Sequence, residues 1–259
     1  MNYTLSFMKI EFIKSKKNIS LYIFTFTLLF ISTILTFILH LQRVGLSGNQ
    51  NIPLNYSYGG YAFGICFYLS LIIYCIFIDS DTREEIKSNK INILFTQSAN
   101  RISYYFGKIL FFTIFLFFIS ILLTLICWTL SSKLIFAQRP PRLSDNTAFP
   151  PSFIFLNLVV QLLLLIPSIL FFVNLSFISG YFFYSSAAGI LFNIFVIIFS
   201  IQLKSLILYP LNKMSFPNQP IFLPKIFDNK SLISLLILIV LNIIFFFIVK
   251  FFISKREFR

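Results

Sequence analysis

From residue 153 to residue 203 the chain carries no charged side chain. As one helix that stretch would be about 75 Å long, whereas the hydrocarbon core of a bilayer is about 30 Å thick. It therefore has to cross twice. The polar, small-residue segment 176–186, which contains Gly180, is the expected point of reversal. Four further apolar runs, at about 21–41, 58–78, 107–130 and 232–252, are each long enough for one crossing. With 153–175 and 183–203 they give six spans. The expected fold is an all-α polytopic membrane protein with a single transmembrane domain over residues 1–259.

Composition closes the other routes. Hydrophobic residues fill 58% of the chain and charged residues only 11%, against about a quarter charged in an ordinary soluble domain. A soluble interior fills before it can hide so much apolar surface, and a disordered chain needs the opposite balance. The three cysteines are too few for a disulfide-stapled secreted domain. The net charge of +13 would suggest nucleic acid in a soluble protein. Here the lysines and arginines lie in short stretches between spans, where they set orientation and meet anionic headgroups, so membrane lipid is the expected partner and nucleic acid is not.

Six spans put both ends on one side. That side carries Lys9, Lys14, Lys16 and Lys17, then Arg83, Lys87, Lys90, Arg101 and Lys108, then Lys250, Lys255, Arg256 and Arg259. The other side has the smaller set Arg43, Lys133, Arg139, Arg142, Lys204, Lys213, Lys225 and Lys230. The richer side is expected to be cytoplasmic. The gap 131–152, with Pro140, Pro141, Pro150 and Pro151, reads as an extended external loop. The gap 204–230 mixes Pro210, Pro217, Pro220 and Pro224 with apolar residues and reads as a segment dipping into the outer interface. The first apolar run is too long for a cleavable signal peptide.

Chemistry-bearing residues are scarce. There is no phosphate-binding Walker loop, no HExxH and no CxxC, so no catalytic, cofactor-binding or metal site is expected in the chain. Cys66, Cys75 and Cys127 read as small apolar residues packed in helices, and His40 as an interfacial side chain. Within the spans, Gln161, Asn174, Asn193 and Asn242 are amides that either line a pathway or bond neighbouring helices. Gly60 with Gly64, and Ser185 with Gly189, form small-xxx-small pairs that permit close helix approach, inside one subunit or between two.

Segment 79–106 stands apart. It holds four of the eight acidic residues, Asp79, Asp81, Glu84 and Glu85. Their spacing from Arg83, Lys87 and Lys90 allows i,i+3 and i,i+4 pairs on a short solvated helix. Ile91, Leu94 and Phe95 recur at helical spacing and can dock on a partner. Near the amino terminus Met1, Leu5, Met8 and Phe12 share one helical face, giving an expected amphipathic interfacial segment over 1–19.

In order, segment 79–106 presents the acid Glu85, the apolar residues Ile91, Ile93, Leu94 and Phe95, then Thr96, Arg101 and the pair Gly107-Lys108. This order resembles the loop motif of ABC-2 type transporter permeases, the membrane subunits of bacterial ABC exporters. Two positions depart from that pattern: Asn89-Lys90 stands where the family has Gly-Thr, and Ser98 where it has Pro. Asn tolerates a left-handed turn, so the first bend can be kept. The six-span plan and the proline-rich gap before the last span resemble the same family.

The resemblance implies a permease that forms the translocation path in the bacterial cytoplasmic membrane, with both termini cytoplasmic. It implies a coupling helix in 79–106 that seats in a separate ATPase subunit, with Glu85, Ile91, Leu94 and Arg101 making the contact. ATP and Mg would be held by that partner, with no cofactor in this chain. A second permease, identical or not, would complete a dimer, and an amphipathic or antimicrobial peptide is the implied cargo. The alternative is a multi-span structural or assembly protein that transports nothing.

Overall fold

The computed structural model describes residues 3–44, 54–88, 101–134, 151–183, 185–202 and 229–255. Among them are seven helices and no strand: α1 (Tyr3–Lys17), α2 (Ile19–Val44), α3 (Leu54–Lys87), α4 (Arg101–Leu134), α5 (Pro151–Phe182), α6 (Ser186–Gln202) and α7 (Asn229–Lys255). Four of them contain stretches long and apolar enough to cross a membrane: Ile19–Ile38, Ala62–Lys87, Ile102–Cys127 and Leu162–Phe182. The protein is a helical, multi-pass membrane protein. The apolar parts of α6 and α7, Ser186–Phe199 and Leu235–Phe251, are shorter and correspond to the other two expected spans. The external gaps expected at 131–152 and 204–230 lie almost wholly outside the described residues.

The core is built by α3, α4 and α5, which pack on one another. Leu71, Tyr74, Ile78, Phe112, Leu116, Ile119, Leu165, Ile169 and Phe172 are buried between them. The other helices lean on this trio: α1 on α4, α2 on α3 and α4, α6 on α3 and α5, and α7 mainly on α5. The outside is as apolar as the inside. Phe26, Leu191 and Phe195 are 73%, 66% and 64% exposed, an arrangement suited to hydrocarbon and unsuited to water. Hydroxyls on these helices bond back to carbonyls of the preceding turn, as Thr25 does to Leu21 at 2.7 Å and Thr36 to Ser32 at 2.8 Å. Where no water is at hand, that geometry satisfies a hydroxyl locally.

The helices overrun their apolar runs. At 34 residues, α3 and α4 are each about 51 Å long, well beyond the hydrocarbon thickness. No Gly or Pro interrupts 79–87 or 101–106, so the backbone stays helical where the hydropathy has already dropped. This corrects the expectation of a separate short solvated helix. Residues 79–87 are the last turns of α3, 101–106 are the first turns of α4, and 89–100 lie outside the described residues.

In the uncharged stretch α5 ends at Phe182 and α6 begins at Ser186, at the far edge of the expected window. Ser176, Ser179 and Gly180 belong to α5 and are buried. Gly180 is pressed against the α3 backbone, and Ser176 and Ser179 hydrogen-bond side chains of α6 and α3.

Candidate functional site

The charged ends of α3 and α4, the helix α1 and the α5–α6 junction meet at one end of the bundle. At their centre is Lys108 of α4, with 1% of its surface exposed. Its ammonium lies 2.5 Å from an Asp81 carboxylate oxygen and 2.7 Å from one of Glu85. Glu85 also accepts short hydrogen bonds from the Tyr104 hydroxyl and from the Lys14 ammonium of α1. Lys14 bonds Glu11 on its own helix at 3.1 Å and reaches Asp81 at 3.8 Å. Three carboxylates and two ammonium groups from three helices thus form one cluster. The backbones come close enough because Gly107 faces α1: a Cβ there would lie 2.5 Å from Phe7 Cβ and 3.0 Å from the Thr4 carbonyl oxygen. Phe7 stands edge-on to the Tyr104 ring, with centroids 5.7 Å apart.

Electrostatics in this cluster follow from burial and charge count. Burial pushes the Glu11 carboxyl above its ordinary value, with Glu85 and Asp81 adding to it and Lys108 and Lys14 opposing. For Lys14, burial and Lys108 pull downward, but Glu11, Asp81 and Glu85 together outweigh them, and the net direction is upward. One oxygen from each of Glu11, Asp81 and Glu85 falls within a 4.8 Å group. The two ammonium groups stand among them, so their counter-charge is supplied from within the chain.

A second cluster lies beside the first, on the opposite side of α3. Asp79 is fully buried; one carboxylate oxygen accepts from Arg83 at 2.8 Å and the other from the Ser179 hydroxyl at 2.7 Å. Arg83 also donates to the Phe183 carbonyl at the α5–α6 junction. Asn193 of α6 donates to Ser179 at 2.7 Å, tying α6 into the same group. Two glycines make room: a Cβ at Gly180 would sit 2.6 Å from the Asp79 carbonyl oxygen, and one at Gly189 would sit 2.5 Å from the Asp79 carboxylate. The Ser185/Gly189 pair therefore serves close approach within the subunit. Gly60 and its surroundings lie beyond the described side chains.

Deeper in the bundle, Tyr105 donates to Asn174 at 2.6 Å, and Asn174 donates to Asn242 at 2.9 Å. Asn242 in turn donates to the Pro167 carbonyl at 3.1 Å. Asn174, Asn193 and Asn242 thus bond neighbouring helices, the second of the two roles open to them on sequence. The Gln161 side chain lies outside the described residues, as does that of His40. The three cysteines are buried, and none forms a disulfide among the described residues.

Of the four coupling residues expected from the motif, only Glu85 has a described side chain. Ile91 and Leu94 lie outside the described residues, and Arg101 is described only as the first residue of α4. Glu85 faces inward, 8% exposed, bonded to Lys14, Tyr104 and Lys108. Of the expected amino-terminal stripe, Met1 lies outside the described residues, Leu5 and Phe12 are exposed and Met8 is half-buried. Phe7, Glu11 and Lys14 face the bundle. Sequence reasoning missed Glu11, Lys14, Asp81 and Tyr104 as members of the site. The available signal was Glu11 itself, the lone acid before residue 79, set three residues from Lys14.

No family model, no curated protein and no solved structure matches this chain.

Proposed function

We propose that the protein is the membrane-spanning permease of an ATP-driven exporter, with six spans and both termini cytoplasmic. The observation that carries this reading is mechanical. Segment 89–100, which bears the motif's apolar residues, is flanked by α3 and α4, each helical without a break across its span. The helical ends beside that segment are clamped by two buried charge clusters to α1 and to the α5–α6 junction. A push on the segment is then delivered to several helices together, as a rigid-body switch between inward- and outward-open states requires.

In this reading Ile91, Leu94 and Arg101 contact a separate ATPase that holds ATP and Mg, and Glu85 keeps the lever stiff from behind. A second permease, identical or not, completes the path in the bacterial cytoplasmic membrane. An amphipathic or antimicrobial peptide is the cargo proposed, by resemblance alone. The rival is a structural or assembly membrane protein. In its favour, three of the candidate pathway amides are engaged in interhelical hydrogen bonds.

Affinity purification of the full chain from its own cells separates the two. A permease brings down a Walker-motif ATPase whose hydrolysis changes when Arg101→Glu or Leu94→Asp is introduced. Isolation in good yield with no nucleotide hydrolase, or an associated hydrolase indifferent to both substitutions, favours the rival.

A further inference from the structure

The outward side of α1 mixes exposed apolar side chains with exposed lysines. On the other side of the helix, Glu11 and Lys14 are turned into the ion cluster. Its outward stripe is Leu5, Lys9, Phe12 and Lys16, spaced i, i+4, i+7 and i+11, and all four are exposed. Leu5 and Phe12 each leave 51% of their surface uncovered, and Ile13 beside them leaves 56%. The Lys16 ammonium stands 4.6 Å from the centroid of the Phe12 ring. Among the described residues no carboxylate pairs with Lys9 or Lys16.

Continuity with the first span places the carboxyl end of this face near the membrane surface. α1 ends at Lys17 and α2 begins at Ile19, whose apolar side chain is 73% exposed, with Tyr22 and Ile23 also exposed one turn on. Lys16 is three residues before Ile19, within one helical turn, about 5 Å along the chain, of hydrocarbon. That is headgroup depth.

We infer that the outward face of α1 is a docking surface for anionic phospholipid. Leu5, Phe12 and Ile13 enter the boundary between acyl chains and headgroups, while Lys9 and Lys16 pair with headgroup negative charge. Zwitterionic lipid offers the same apolar contact without the net charge, so the two lysines give the face a headgroup preference. This surface depends on neither an ATPase nor transport.

The test uses the full chain in nanodiscs. A bimane is placed on Leu5→Cys, the native Cys66, Cys75 and Cys127 being buried. Quenching is read with doxyl-labelled phosphatidylglycerol and with doxyl-labelled phosphatidylcholine at equal mole fraction. Phosphatidylglycerol is expected to quench several-fold more strongly. The preference is expected to vanish in Lys9→Glu/Lys16→Glu and to persist in Lys9→Arg/Lys16→Arg. Equal quenching by both lipids overturns the inference, and so does a preference that survives charge reversal. A label quenched by neither lipid also overturns it, because the face would then rest on protein or in water.

Discussion

Lys108 is the residue on which the charged end of the bundle turns. Its ammonium is withdrawn from solvent and ion-paired with Asp81 and Glu85. Removing one member of such a group leaves opposite charge buried and unpaired, which costs about 3–5 kcal/mol. Lys108→Met is therefore expected to lower the unfolding temperature in detergent sharply. Adding Glu85→Gln to Lys108→Met is expected to recover part of the loss, because fewer unpaired charges remain. Wild-type-like melting of the single variant would contradict this account. Glu11 gives a pH-dependent companion. Its folded-state carboxyl titrates above the reference value of 4.5, burial being the first cause. The folded state then holds more protons than the unfolded one, so this group's contribution to stability falls as pH rises from about 4.5 through the raised value. Glu11→Gln is expected to flatten that portion of the melting-temperature-against-pH curve; an unchanged slope would place the titration elsewhere.

At the scale of elements, glycines decide which helices can touch. Gly107 admits α1 to α4, and Gly180 admits α5 to α3, each against backbone atoms that cannot rotate away. Gly107→Ala and Gly180→Ala are each expected to cost about 1–3 kcal/mol through overpacking. Their signatures differ. Gly107→Ala is expected to raise protease cleavage within α1 while the rest of the bundle stays protected, whereas Gly180→Ala is expected to loosen α3 and α5 together. Equal protection maps for the two variants would show that the close approaches are not separate. The helices themselves were legible in the sequence as apolar runs, but their ends were not. Hydropathy falls at Asp79, yet α3 continues because Asp79, Asp81, Arg83 and Glu85 find partners beyond their own helix, and a one-dimensional reading sees those charges as solvated. Likewise Ser176, Ser179 and Gly180 look like turn residues until their contacts with α3 and α6 are seen.

Over the whole molecule, the exposed apolar surface sets the solvent. Phe26, near the middle of the α2 apolar stretch, is expected to tolerate Leu and to reject Asp, a difference of about 3–4 kcal/mol of insertion free energy. A glycosylation-based insertion assay reads that difference, and equal insertion of both variants would contradict a lipid-facing α2. The class of protein was thus legible from composition and run length alone. The candidate site was legible only in part. Segment 79–106 drew notice for its acids, but the partners that complete the cluster sit far away in sequence, and no local spacing announces them. Lys14 and Glu85 are 71 residues apart.

That separation has a consequence for biosynthesis. α1 is made before any helix it binds, and its partners on α3 and α4 arrive only after the intervening spans have been synthesised. Until Lys108 emerges, Glu11, Lys14 and Glu85 form an incomplete set, and α1 has no Gly107 to rest against. Docking of α1 is therefore a late event that reports on the correct arrival of α3 and α4. A nascent chain in which those helices were misthreaded would leave its amino terminus undocked and open to quality-control proteolysis.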